Sequence, residues 1–165
     1  MIRAPLAVAT LFALTVTAAL AYEPIIAKPG EYVTVKPAQQ SIHVLASAGQ
    51  TDGELGIIII EGKTGEGPGP AITHAKEAES WYVLEGTFDF HIGDETFEAG
   101  PGTFVSVDAG QAHGFNNKTD GKLLVIFNPG GYEQFFADWA EQGLERGPAL
   151  GALENTYGVT RPPRP

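Results

Sequence analysis

The sequence predicts an all-β domain, an antiparallel sandwich or small barrel, followed by one or two C-terminal helices. Three observations carry that expectation. Nine short runs between residues 31 and 127 alternate apolar and polar side chains with period two, as half-buried strands do. Glycine-rich turn signals such as "GQTDG", "AGPG" and "NKTDG" separate them at short, regular intervals. After Pro129 the apolar period lengthens to that of a helix. A length of 165 residues suits one domain built on one core.

Residues 1–21 have the form of a cleavable export signal. "MIR" gives a positive start, and "APLAVATLFALTVTA" gives an apolar run short for a bilayer span. "ALA" at 19–21 is a small-x-small cleavage pattern before Tyr22. A single uncleaved membrane anchor is the competing reading, against which no charged stop-transfer cluster follows the run. With the leader cleaved, the mature protein is expected to be secreted or periplasmic and free of the membrane. Residues 22–53 hold the N-terminal strands, "EYVTV" (31–35) and "SIHVLAS" (41–47). Residues 54–128 form the barrel proper. Its strands are "ELGIIIIE" (54–61), "SWYVLE" (80–85), "TFDFHI" (87–92), "ETFEA" (95–99), "TFVSV" (103–107), "AHGFN" (112–116) and "KLLVIF" (122–127). The isoleucine run 57–60 reads as a strand covered on both faces.

Residues 129–156 read as helical. Tyr132, Phe135, Phe136 and Trp139 fall at i, i+3, i+4 and i+7, one face of an amphipathic helix that Gly143 stops. Packed against the barrel, that stripe is core. A second short helix covers 148–156 from Pro148. Residues 157–165, ending in "RPPRP", read as an extended tail.

The formal net charge is −10, and the leader contributes Arg3 but no acid, so the mature chain is one unit more negative. Such a surface repels phosphate backbones and argues against nucleic acid as a partner. The chain has no cysteine, so the core stands without disulfides and offers no thiolate to soft metals.

Two glycine-bounded motifs lie on the expected strands. In "ITHAKEAESWYVLEG", six residues separate Glu79 from Gly86. In "GTFVSVDAGQAHGFNN", Gly102 is followed by Asp108, Gly110, His113 and Asn117. Fifteen residues lie between Gly86 and Gly102. This pair of motifs resembles those of the cupin superfamily. The family's first motif is His-x-His, three or four residues, Glu, six residues, Gly. Its second is Gly, five residues, Pro-x-Gly, two residues, His, three residues, Asn. The resemblance covers about residues 50–128. "PGGYEQFF" and "ENTYGVTRPP" are similar to the C-terminal segments of quercetin dioxygenase-like cupins and extend it. It implies a single cupin barrel, the double-stranded β-helix or jelly roll, with one or two C-terminal helices. It also implies a homodimer, for which the N-terminal strands offer edges.

The first motif is incomplete. A gapless alignment gives His74 the second histidine position and leaves Ile72 in the first. The other register, His74 then Lys76, shortens the spacer to Glu79 to two residues. Asp108 stands where the second motif has proline, which loosens a turn but removes no ligand. Strand alternation puts Ile72 and His74 on one side, and Glu79 with Trp81 and Val83.

With His113 from a neighbouring strand, the resemblance implies that His74, Glu79 and His113 converge as ligands of a divalent metal. Two histidines and one carboxylate form a facial set with open positions that suits iron(II), and manganese or nickel meets the same donors. The alternative is a barrel without metal, in which Ile72 marks a retired ligand slot and Glu79 pairs with a histidine to move a proton. Glu79 and His74 are the candidate catalytic residues in both cases. Ile72, Trp81, Phe88, Phe90, Phe104 and Phe115 are the candidate lining of an apolar slot for a planar ligand.

Weaker signals are Lys76, a solvated rim charge; His91, opposite the inward phenylalanines; and His43, toward solvent or a dimer face. Asn117 begins a glycosylation sequon but fills a structural motif position. The resemblance implies an exported enzyme acting on a small, aromatic or polyketide-like molecule by metal-dependent, dioxygenase-type chemistry. A metal-free isomerase, cyclase or lyase, and a non-catalytic small-molecule binder, are the alternatives.

Overall fold

A computed structural model describes residues 23–37, 39–67 and 71–161. The leader expected over 1–21 and the last four residues of the tail lie outside the described residues. No helix among the described residues is long and apolar enough to cross a membrane.

The strands follow the sequence in order: β1 (Val33–Val35), β2 (Ser41–Ala46), β3 (Gly56–Gly62), β4 (Thr73–His74), β5 (Ala78–Glu85) and β6 (Phe88–Ile92). Then come β7 (Glu95–Ala99), β8 (Phe104–Val107), β9 (His113–Asn117) and β10 (Gly121–Asn128). Helices α1 (Glu133–Gln142) and α2 (Pro148–Thr156) precede the last strand, β11 (Val159–Thr160). One sheet has the order β1-β2-β3-β10-β5-β8. Facing it are β7-β6-β9 and the pair β11-β4. A bridge between Ile72 and His113 joins these last two groups into one wall, through Ile72 N–H to His113 O (2.7 Å) and His113 N–H to Ile72 O (2.9 Å). All the named pairings are antiparallel. The result is a jelly-roll barrel with two helices at its C-terminal end, the fold class the sequence predicts.

Period-two alternation decides what faces inward. On β5, Glu79, Trp81 and Val83 are buried; on β10, Leu123, Val125 and Phe127; on β3, Ile58 and Ile60. Ile57 and Ile59 are only half-buried, on the outer face of the large sheet. Phe88, Phe90 and Phe115 fill one end of the barrel, in contact with one another at ring-centroid distances of 5.8–6.4 Å.

The helical stripe closes the other end. Tyr132, Phe135, Phe136 and Trp139 are all buried. Gly143 ends α1 in the left-handed region, at φ 59°, which glycine adopts without strain. The Trp139 indole N–H donates to Leu144 O (2.6 Å), and Tyr157 O–H donates to Asp138 (2.5 Å), tying the end of α2 to α1. Residues 159–160, placed in the tail by sequence, are a strand: Val159 is fully buried and pairs with His74.

Candidate metal centre

Three side chains from three strands meet at the closed end of the barrel. His74 comes from β4, Glu79 from β5 and His113 from β9, and all are buried. Glu79 Oε2 lies 3.0 Å from His74 Nε2 and 3.1 Å from His113 Nε2. The two imidazoles stack, with centroids 5.4 Å apart and planes 8° from parallel. One donor atom from each residue lies within 4.8 Å of the others.

The second motif holds both histidines in place. Its turn is closed by Gln111 N–H to Asp108 O (3.1 Å), so aspartate serves where proline was expected. From that turn, Gly110 N–H donates to His74 O (2.7 Å), and Gln111 O lies 2.7 Å from His113 Nδ1. His74 is gripped from the other side by β11. Aromatic neighbours restrain both rings: Tyr132 meets His74 edge-on at 4.3 Å, and Trp81 meets His113 at 5.3 Å.

The electrostatics of this cluster are incomplete. A carbonyl only accepts, so the contact with Gln111 O assigns the hydrogen of His113 to Nδ1. In the neutral ring Nε2 is then an acceptor, and it faces a carboxylate oxygen, which is also an acceptor. A shared proton or a cation has to lie between them. His74 Nε2 is within 3.0 Å of the same oxygen but out of line for a hydrogen bond. Both of its ring nitrogens, Glu77 Oε2 and the Trp81 indole N–H are buried without hydrogen-bond partners. Burial pushes the Glu79 carboxyl upward, but the contacts from His113 and His74 outweigh it and hold the group below its ordinary value.

These residues fit a divalent ion. Two donors about 2.1 Å from an ion and at right angles are about 3.0 Å apart, the spacing seen here between Glu79 and each histidine. The donor set is two imidazoles and one carboxylate, buried, with orphaned nitrogen already in place.

The cavity beside the cluster measures about 60 Å³, room for an ion and a few waters. Ile72, Trp81 and Phe115 line it. Phe88 and Phe90 do not. They are core residues deeper in the barrel, where Phe90 packs on Trp81 and Phe97. Phe104, expected in the lining, is 62% exposed on the outer face of β8. The reason is parity: Val105 and Val107 take the inward positions, and Phe104 pairs across the strand with exposed Tyr82. Lys76 is exposed, His91 bonds Thr96 and Asn116 at the barrel surface, and His43 contacts Thr34 and Glu61 on the large sheet. Asn117 is 4% exposed and its backbone is bonded to Glu66 and Gly65, a structural role.

Sequence reasoning missed three contributors. Tyr132, on the helix stripe, also lies against His74. Glu77, in the bend between β4 and β5, is buried with Oε2 3.8 Å from His74 Nδ1. Arg161 pairs with buried Glu154 through two bonds (3.0 and 2.5 Å), and both line the cavity. Outside this wall runs a broader groove, which shares Gln40, Trp139, Arg146, Leu150, Glu154 and Arg161 with the cavity.

A jelly-roll barrel with histidines and a glutamate gathered inside defines a class of proteins, and comparison with known families gives the same one. Residues 58–127 match the family model described as "Cupin domain". Over these residues the chain is a cupin domain. No curated protein matches it at a significant level. Among solved structures it is similar to an RmlC-like cupin from Shewanella frigidimarina (TM-score 0.60, 20% identity, covering 68% of this chain and 96% of that one). It is also similar to a predicted oxalate decarboxylase from Thermotoga maritima (TM-score 0.56, 18% identity, 63% and 98% covered). A third is KdgF from a Halomonas species (TM-score 0.54, 17% identity, 67% and 97% covered). At these identities the likeness is one of fold.

Proposed function

We propose that this cupin is a metal-dependent enzyme acting on a small molecule, with His74, Glu79 and His113 holding the ion. One observation carries the reading: Glu79 Oε2 stands about 3 Å from two imidazole nitrogens, one of them committed as an acceptor, so the cluster needs a positive charge at its centre. Iron(II), manganese or nickel meets these donors, and an ion bound there supplies Lewis acidity and open positions of the kind used in dioxygenase-type chemistry. The residues do the rest. Trp81, Phe115 and the helix aromatics exclude water. Gln111 O sets the His113 tautomer.

The aromatic or polyketide-like substrate implied by the family resemblance is larger than this cavity. Pockets for drug-sized ligands run to about 300–1,000 Å³, against about 60 Å³ here. We read the substrate as small, or as entering from the outer groove when the wall at Glu154 and Arg161 opens. Export through the leader at 1–21 and homodimer formation belong to the same proposal. Val33 on edge strand β1 and Phe104 on edge strand β8 are exposed apolar residues available to a second copy.

A second reading rests on the same distances. Glu79 within 3.1 Å of both imidazoles is also the geometry of a proton-transfer site without metal, an isomerase, cyclase or lyase. Elemental analysis of mature protein purified without chelator separates the two. The metal reading expects close to one iron, manganese or nickel per chain, a melting temperature that rises with that ion, and loss of both in His74→Ala. Protein that stays metal-free, gains no stability from any of the three ions and still turns over substrate selects the second reading.

A further inference from the structure

Two buried polar atoms face each other behind the cluster, and neither has a partner. His74 Nδ1 is on a fully buried ring. Glu77 Oε2 belongs to a side chain 9% exposed, in the bend between β4 and β5. They stand 3.8 Å apart, too far for a hydrogen bond and too close for water between them. A buried donor or acceptor left unmade is destabilising, so both atoms gain from closing this gap.

The demand on His74 makes the pairing specific. Its Nε2 lies 3.0 Å from Glu79 Oε2 and is the nitrogen available to the cluster. That nitrogen can offer a lone pair only in the tautomer with hydrogen on Nδ1. His113 has its tautomer set by Gln111 O at 2.7 Å. The corresponding position at His74 has no carbonyl bonded to it, and Glu77 is the acidic group within reach. Neighbouring Lys76 is exposed and forms no ion pair with it among the described residues.

We propose that Glu77 is a positioning residue for His74: its carboxylate accepts a hydrogen bond from Nδ1–H when the cluster is loaded, fixing the tautomer that leaves Nε2 as a ligand. The site then has one support per imidazole, a backbone carbonyl for His113 and a side-chain carboxylate for His74. Partners of this kind raise ligand basicity, and losing one typically weakens metal affinity about 10–100-fold. The inference rests on the metal reading of the site.

The test compares wild type, Glu77→Ala and Glu77→Gln by calorimetric titration with manganese(II) at neutral pH. Glu77→Ala is expected to bind about 10–100-fold more weakly. Glu77→Gln, whose amide oxygen still accepts, is expected to stay within about threefold of wild type. Unchanged affinity in Glu77→Ala overturns the proposal, as does equal loss in both variants. Nitrogen-15 spectra of the wild-type imidazoles add a readout independent of variant folding. His74 in zinc-loaded protein should carry its hydrogen on Nδ1, and hydrogen on Nε2 overturns the proposal. If wild type binds no metal at all, the metal reading fails by itself. The His74 tautomer in metal-free protein then decides Glu77's part: loss of the Nδ1–H form in Glu77→Ala supports it and no change overturns it.

Discussion

His74 and His113 present their rings in parallel, 8° apart in plane, with one carboxylate oxygen of Glu79 about 3 Å from each Nε2. Neither ring position is set by its own strand alone. The turn at 108–111 bonds the backbone carbonyl of His74 and the ring of His113, and that turn is part of the second motif. The two motifs, far apart in sequence, are thus one mechanical unit, and the expected consequences can be measured.

Glu79→Gln keeps the shape of the site but removes its charge. Manganese affinity is expected to fall about 100-fold or more, because a neutral amide replaces the only anionic member of the proposed ligand set. Calorimetric titration against wild type measures this. Affinity within threefold of wild type would remove Glu79 from the ligand set.

The Glu79 carboxyl is held below its ordinary value of 4.5 by the two histidines, against the upward push of burial. A depressed carboxylate stabilises the fold above its unfolded value and loses that contribution as pH falls through the lower folded one. In metal-free protein, the stability gap between wild type and Glu79→Gln should therefore change little from pH 7 to 5. It should then shift against wild type as pH drops below 4.5. Urea midpoints across that range test it, and a gap that stays flat down to pH 2.5 contradicts the assignment.

The motif glycines Gly86 and Gly102 differ in what they require. Both sit at positive φ, 80° and 90°. A Cβ on Gly86 would also meet Asp120 O at 2.5 Å and Gly121 Cα at 2.7 Å, whereas one on Gly102 meets open space. Gly102→Ala should lose about 1 kcal/mol from backbone strain. Gly86→Ala should lose about 1–3 kcal/mol more from the clash with backbone. Equal losses in urea denaturation would show that the contact at Gly86 relaxes freely.

Glu154 and Arg161 form part of the cavity wall. The Glu154 side chain is 9% exposed and that of Arg161 37%, so the pair is partly screened. A double-mutant cycle of Glu154→Gln and Arg161→Gln is expected to give a coupling of about 1–2 kcal/mol. A coupling near zero would mean that the wall is held by aromatic packing alone.

Much of this molecule was legible in the sequence, for a physical reason. Strands with one wet face alternate, so β5 and β10 declared their inward residues, and α1 declared its stripe. Where that contrast fails, so does the reading. β8 carries apolar side chains at both parities, Phe104 against Val105 and Val107, and nothing in the sequence says that the smaller pair goes inside. β4 and β11 are two residues each, too short to show any period. Glu77 lies in a bend, where periodicity gives no facing. His74, Glu79 and His113 were placed by motif spacing, because strand pairing converts fixed offsets into fixed positions. The small size of the cavity was not readable, since it depends on how deeply the helix aromatics enter the barrel.

The pairing of β4 with β11 sets an order of events during synthesis. Thr73 and Thr160 bond side chain to side chain at 2.7 Å across 87 positions of chain, and Val159 backs His74 directly. A growing polypeptide can complete every strand of the large sheet by residue 128 while the strand bearing His74 still lacks its neighbour. The imidazole gains its full support only when residues 159–160 have been made, so the cluster is complete only in finished molecules.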